Sequence, residues 1–550
     1  MRPAAEDLFG PACTPKVVVI GAGFGGIAAA VKMKQAGIHT FTIYESSTGV
    51  GGTLWDNTYP GAEVDVNSNL YRYSFKPYPW SRTHARQPEL QEYLERTVDD
   101  LGLRSHLRLG VTVESASWDE RRHVWAVTLE GGRVDECQVL ISAVGFLNLP
   151  RYPDWPGLRS FAGAAFHTAR WDHRQDLAGK IVAVVGTGST AAQVVPAIQP
   201  EVKKLYLFQR EPGWVMPKGE RDLTEAERAV LADPLRRALD RARLRYTIEK
   251  GLWGAAIFRP GTRLHAQRQA TCLDYIERQF ADRPDLRRAV TPSYPFPGKR
   301  PVLASTFYPA LKRENVELVP KAVASVTARG IVDTEGVERP VDVIVMATGF
   351  KAADYLADLR VTGRRGTTLH DHWAGEPRAY LGITVPRFPN FFMLYGPGTN
   401  GGELVSMLEA QAEYAVRVLK RMRRERVTAV EVKPVFEAAW FSWLQHRMEG
   451  TSWTQCHNYF TSETGKIVTQ WPSGNMAYRL LTKLAGRPSE TTRLAVGQAA
   501  GGDGSPAKST TVNRSVKRQV PSTFSKESRY RPVRMIPMGV LGSDRCRTVQ

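Results

Sequence analysis

At 550 residues, 42% hydrophobic and 23% charged, the chain is long enough for two or three domains with sizeable cores. No run approaches the roughly 18 to 20 consecutive apolar residues of a membrane span, and the N-terminus lacks a basic region followed by an apolar stretch and cleavage site, so a cytoplasmic protein without a membrane span is expected. A net charge of +19 would suggest nucleic acid or anionic membranes as partners, but from Ala485 onward 12 Lys and Arg stand against 4 Asp and Glu, so eight of the excess charges sit at the end, which weakens that reading, and no nucleic-acid partner is expected. That end is rich in Gly, Ser, Thr and Pro and has no helical or strand period, so residues 486–550 are expected to form a disordered basic tail. Cys13, Cys137, Cys272, Cys456 and Cys546 are scattered, with no C-x-x-C pair, which fits a reducing compartment and offers no metal site.

In chain order, Lys16 to Ile20 is a short β-branched run entering a glycine cluster. A small-residue helical stretch follows from Phe24 and is ended by Gly37, and Phe41 to Glu45 forms a second strand. The same grammar recurs at Ile181 to Val185, with a glycine loop, a helix from about Thr190 and the strand Lys204 to Phe208. From about 219 to 289 the sequence turns to charged, Ala- and Leu-rich helical stretches, the first opened by Thr224 and Glu227 in capping-box spacing. Val343 to Phe350 is a buried strand ending in a glycine turn. Phe391 to Tyr395 is another, running into Gly396-Pro397-Gly398 and then a helix carrying Leu404, Leu408, Ala415, Leu419 and Met422 at helical spacing.

The first loop reads Gly21-x-Gly23-x-x-Gly26, with glycines for the turn, for the approach of a pyrophosphate and for close helix–strand packing. Glu45 ends the next strand, 24 residues after Gly21, where an acid accepts hydrogen bonds from an adenosine ribose and repels a 2′-phosphate. This loop is expected to hold FAD or NAD(H). The second reads Gly186-x-Gly188-x-x-Ala191, and Gln209-Arg210 stands where an acid would have closed the strand. Arg210 favours a 2′-phosphate, so NADPH is expected there over NADH, with Ser189 and Gln193 on the helix counted among its contacts; the plainer reading of Arg210 is a solvated surface charge. An acid-ended loop followed by an Arg-ended loop implies a flavoprotein reduced by NADPH. The absence of a redox cysteine pair turns the reading away from disulfide reductases.

Phe161-x-Gly163-x-x-x-His167-x-x-x-Trp171-Asp172 resembles the F-x-G-x-x-x-H-x-x-x-W-[P/D] fingerprint of Baeyer–Villiger monooxygenases at every defined position. Gly51 to Asp65 is similar to that family's [A/G]-G-x-W-x-x-x-x-[F/Y]-P-x-x-x-x-D stretch, with Leu54 in place of the Trp. Gln87-Pro88-Glu89 looks like its flavin-contacting loop, and Tyr294 to Arg300 like the loop carrying its active-site arginine. The resemblance implies that Arg300 is catalytic with Asp65 as its carboxylate partner, and that Lys299 assists on the 2′-phosphate. It also implies that Thr53, Asp65 and Gln87 contact FAD, and that His457 to Phe460 belong to a loop reaching over the cofactor. The implied reaction uses NADPH, O2 and a small-molecule ketone and passes through a C4a-peroxyflavin to an ester or lactone. An arginine suits it, because a guanidinium stabilises negative oxygen without donating its proton near neutrality.

Taken singly, these residues have plainer readings. His167 would be a packed linker histidine, Arg300 a surface charge, and Asp65 a turn former beside Pro60-Gly61. Rival functions are N- or S-oxygenation and a nucleotide-binding protein without catalysis. The expected architecture is α/β, with two Rossmann-like dinucleotide-binding domains: an FAD domain from 14–150 and 340–485, and an NADPH domain at 151–339 carrying the helical insertion.

Overall fold

The computed structural model describes residues 15–487 and 490–494. Two five-stranded parallel sheets dominate it. In the first, the strands run in the order Phe391–Met393, Val139–Ser142, Val17–Ile20, Phe41–Glu45, Leu107–Leu109. In the second the order is Val316–Val319, Lys204–Phe208, Ile181–Val185, Val343–Met346, Ala164–His167. In each, the strand entering the glycine loop is the middle one, and its residues are almost all buried, as β-branched runs covered on both faces should be.

Strand order reverses at that middle strand in both sheets, which leaves a crevice at its C-terminal end where the loop and helix N-terminus lie. The helices there are Phe24–Gln35 and Ser189–Ile198. The first is sandwiched between its sheet and the long helix Leu404–Glu425, whose Val405, Leu408, Ala412, Ala415 and Leu419 join the same core. The expected insertion forms four helices, Glu225–Ala232, Pro234–Leu252, Arg263–Gln279 and Pro284–Val290. Thr224 and Glu227 close their capping box, each side chain accepting from the other's backbone N–H.

Two expected boundaries are corrected. Val343–Met346 does not open the second part of the FAD domain at 340; it pairs in parallel with Ile181–Val185 and Ala164–His167 in the second sheet. A buried apolar run states that a strand is covered on both faces, not which sheet covers it. The crossing to the first sheet follows it, where Pro150 bridges Phe350 and the two connecting segments run antiparallel. At the other end, Thr491–Leu494 pairs antiparallel with Ala429–Val432, so residues placed in the tail belong to a sheet. The rest of that tail, 495–550, lies outside the described residues. No described helix is long and apolar enough to cross a membrane.

Candidate active site

The two loops solve the same backbone problem. Gly21 has φ +101° and Gly186 φ +117°, and a Cβ on either would lie 2.8 Å from Ala143 O or 2.4 Å from Ala347 O, the carbonyls just past the neighbouring strand. Only glycine fits both the dihedral and the space. Gly23 and Gly188 are the N-caps of their helices and offer no side-chain oxygen to the first-turn N–H groups. Those N–H groups remain available to a phosphate. A Cβ on Gly188 would meet nothing within 4 Å, so that position opens onto free space. The geometry fits a pyrophosphate at each loop.

The strand ends differ. Glu45 is 6% exposed, and its carboxylate accepts hydrogen bonds from Ala22 N–H at 2.7 Å and Ser47 N–H at 2.9 Å. It is fixed beside the first loop as a ribose acceptor would be. Arg210 is exposed after its strand, while its neighbour Gln209 is buried and donates to Ala289 O at 2.7 Å. Lys299 forms an ion pair with Glu211 and lies over the Tyr294 ring, so both expected 2′-phosphate contacts stand at one strand end. Ser189 and Ala191 lie in the first turn of the helix, with Ala191 fully buried.

Residues 56–65 reach across to residues 170–193. Asp56 pairs with Arg170 at 3.2 Å, and Thr58 hydrogen-bonds His173 at 2.7 Å. Tyr59 donates to Gln193 Oε1, whose Nε2 donates to Glu63 O. Gly61, with φ +83°, lets this segment approach the second helix so closely that a Cβ would lie 2.5 Å from Gln193 O. Gln193 therefore ties segment to helix instead of simply facing a nucleotide. Upstream, Thr53 is exposed at the start of a one-turn helix, Leu54 packs against the first core, and Gln87 donates to Leu54 O at 2.7 Å. Trp55, one place after the family position, lies over Gly49 and is 36% exposed.

The segment ends at the decisive contact. Arg300 Nη2 donates to Asp65 Oδ2 at 2.6 Å, joining residues 235 positions apart. The Arg300 side chain is 45% exposed and that of Asp65 23%, so the pair is open to a ligand from solvent. Burial pushes the Asp65 carboxyl up, but the charge and hydrogen bond of Arg300, with Lys218 behind, outweigh it and hold it below the usual carboxylate range. The Asp65 charge in turn raises the guanidinium further against the opposing effect of burial. The pair is ionised throughout the physiological range.

Tyr71, Tyr395 and Tyr459 are close enough to this pair to feel its charge, and burial raises all three phenols. Tyr71 packs edge-on against Phe24, the first helical residue after the first glycine loop, at 5.2 Å. The loop bearing Arg300 is held from the other side by residues 452–458: Ser452 donates to Phe296 O at 2.7 Å and Asn458 Nδ2 to Gly298 O at 3.2 Å.

Comparison with known proteins agrees with this geometry. The family described as "Pyridine nucleotide-disulphide oxidoreductase" matches residues 18–220. A Baeyer–Villiger monooxygenase of Pseudomonas aeruginosa is 39% identical over 85% of this chain and 89% of its own length. One from Streptomyces coelicolor is 39% identical over 85% and 91%. The NADP+-bound structure of cyclohexanone monooxygenase from Rhodococcus sp. Phi1 superimposes with a TM-score of 0.75 at 32% identity, covering 86% of this chain and 97% of that one. The chain belongs to the Baeyer–Villiger monooxygenase family. It is an FAD- and NADPH-dependent monooxygenase.

In this Baeyer–Villiger monooxygenase the fingerprint residues lie beside the crossing between units. His167 is fully buried; Nδ1 accepts from Ala169 N–H and Nε2 donates to Gly349 O, both at 3.1 Å. Burial lowers its pKa, and both ring nitrogens are engaged. This is the packed linker histidine. A Cβ on Gly163 would lie 2.2 Å from Asp342 O, Trp171 packs edge-on against Phe166, Phe161 packs under the second sheet, and Asp172 caps the turn that follows by accepting from Arg174 N–H. Sequence reasoning missed Lys218, which is 1% exposed and donates to Glu63 at 2.7 Å, and it missed Tyr71 and Glu211. None stands in a motif; each reaches its partner only through the fold.

Proposed function

We propose that this chain oxidises a small-molecule ketone with NADPH and O2 to an ester or lactone, and that Arg300 and Asp65 are its central polar pair. The carrying observation is the ion pair between residues 235 positions apart, with its guanidinium open to solvent. Bound FAD, reduced by NADPH, supplies the activated oxygen. Arg300 supplies a fixed positive charge beside the ketone carbonyl and stabilises the negative charge that builds on its oxygen. A guanidinium does this without giving up a proton near neutrality.

Asp65 keeps the guanidinium in one orientation and, being ionised, moderates how strongly it holds an anion. The raised phenols of Tyr71, Tyr395 and Tyr459 stay protonated beside the pair. Gly21, Gly23, Gly26, Glu45, Thr53 and Gln87 would hold FAD. Gly186, Gly188, Ser189, Arg210 and Lys299 would hold NADPH, with Lys299 leaving Glu211 for the 2′-phosphate. The described cysteines Cys137, Cys272 and Cys456 are free thiols, which suits a cytoplasmic location.

The test follows NADPH and O2 consumption by the FAD-loaded protein with cyclic, aryl and long-chain ketones, and mass spectrometry of the products. A product heavier by one oxygen with an ester or lactone carbonyl is expected. Sulfoxides or N-oxides without esters would replace this reading by heteroatom oxygenation.

A further inference from the structure

The helix Pro234–Leu252 turns charges as well as the half-buried Leu244 and Ile248 to the protein: Arg241 donates to Arg72 O at 2.9 Å and to Glu403 at 3.2 Å, Arg245 donates to Glu403 at 3.0 Å, and Asp240 accepts from Asn69 at 2.6 Å. The opposite face carries Leu235, Leu239 and Tyr246, which are 69%, 62% and 69% exposed, with Ala242 between them. Their spacing of i, i+4, i+7 and i+11 places them in one stripe along the helix. A helix on a water-facing surface is ordinarily patterned the other way.

A second helix continues the pattern. Asn475–Leu484 begins where Glu249, near the end of the first helix, accepts from Asn475 N–H at 2.7 Å and Met476 N–H at 3.1 Å. It exposes Met476, Leu480 and Leu484, at i, i+4 and i+8, by 60%, 53% and 50%. Arg236, Arg243 and Lys250 recur every seven residues along one flank of the first stripe, and Lys483 stands on the outer side of the second helix; all four are exposed. Among the described residues none of these four cations has a carboxylate partner, and neither helix exposes an acid.

We propose that these two outward faces dock on an anionic lipid bilayer, the apolar stripes entering the headgroup boundary and the cations meeting the lipid charges. Apolar side chains on one face rimmed by Lys and Arg are what an interfacial helix requires. Charge complementarity decides between this occupant and those the chain itself could supply. A second copy docked by a two-fold would set the cation row near its own image. Residues 495–550 carry ten Lys and Arg against three Asp and Glu, so they too would bring positive charge to positive charge.

The experiment is co-sedimentation of the full-length, FAD-loaded enzyme with vesicles of phosphatidylcholine alone and of phosphatidylcholine with phosphatidylserine at about 7:3. Binding to the mixed vesicles that weakens with salt is expected, with little to the neutral ones. The triple change Leu235→Ser, Leu239→Ser, Tyr246→Ser should lower partitioning by about tenfold or more. Arg236→Glu, Arg243→Glu, Lys250→Glu should lower it as well and flatten its salt dependence. Flavin content, melting temperature and turnover of a water-soluble ketone should stay at wild-type values, since these side chains face outward. Equal binding to both vesicle types, or wild-type binding by the serine variant, which would place the attraction in residues 495–550, would overturn the proposal. So would a dimer in sedimentation velocity that the serine variant dissolves.

Discussion

The two glycine loops are nearly superimposable in their backbone logic and opposite in their strand ends. Both place a left-handed glycine against a carbonyl and leave a helix N-terminus without a side-chain cap. One is closed by a buried carboxylate tied to its own loop, the other by an exposed arginine. The shared part follows from what any pyrophosphate needs; the different part follows from whether a ribose hydroxyl or a phosphate is met. The third glycine position separates them too. A Cβ on Gly26 would stand 1.9 Å from Gly21 O, whereas Ala191 carries a methyl group in the same role.

The most forceful way to break this comparison leaves both loops working and stops the reaction between them. Arg300→Ala should leave flavin reduction by NADPH nearly intact in anaerobic stopped flow, while ester formation by mass spectrometry falls by about 10²- to 10³-fold or more. Retained oxygenation would remove Arg300 from the mechanism. Next in size, Gly26→Ala should cost about 3 kcal/mol or more through the clash with Gly21 O and give protein with little bound flavin. The reciprocal Ala191→Gly should cost about 1 kcal/mol in thermal or denaturant unfolding and spare NADPH binding. Equal losses from the two would erase the distinction between the loops.

Smaller still, Arg210→Ala should raise KM for NADPH by about tenfold and hardly change that for NADH. A like effect on both coenzymes would detach Arg210 from the 2′-phosphate. The smallest effect concerns pH. His167 is held below its ordinary 6.5, first by burial, and His84 is lowered to about 4 by burial and Lys218. Between about pH 4 and 6.5 the unfolded chain therefore binds more protons at His84, and as pH falls below 6.5 it does so at His167 as well. Their contribution to stability is complete above 6.5 and is lost as pH falls toward 4. The melting temperature should fall over that window, and His167→Gln together with His84→Gln should flatten the slope. Asp65, lowered from 3.8, should contribute only below that range, so acid sensitivity confined to pH below 4 would count against the histidines.

Much of the fold was legible because its signals are local. Phe41–Glu45 and Lys204–Phe208 have the expected bounds, and the capping box at Thr224 closes as its spacing required. The site was legible only in parts. Arg300 and Asp65 each stood in a stretch resembling the family, and the resemblance paired them; residue pattern alone, without it, does not place one beside the other. Lys218, Tyr71 and Glu211 carry no motif at all, and the Pro234–Leu252 helix shows its charges and leucines without saying which face turns inward.

By itself the sequence determined the two loops and the chemistry of their strand ends, because those depend on backbone dihedrals, missing Cβ atoms and charge within about 25 residues. Tertiary structure decided which sheet receives Val343–Met346, that residues 56–65 reach the helix Ser189–Ile198, and the 2.6 Å geometry in which Asp65 meets Arg300. Those outcomes depend on which buried faces cover one another at long sequence separation. No local pattern carries that information, since an apolar strand or a lone carboxylate is satisfied by any partner the folded chain brings to it.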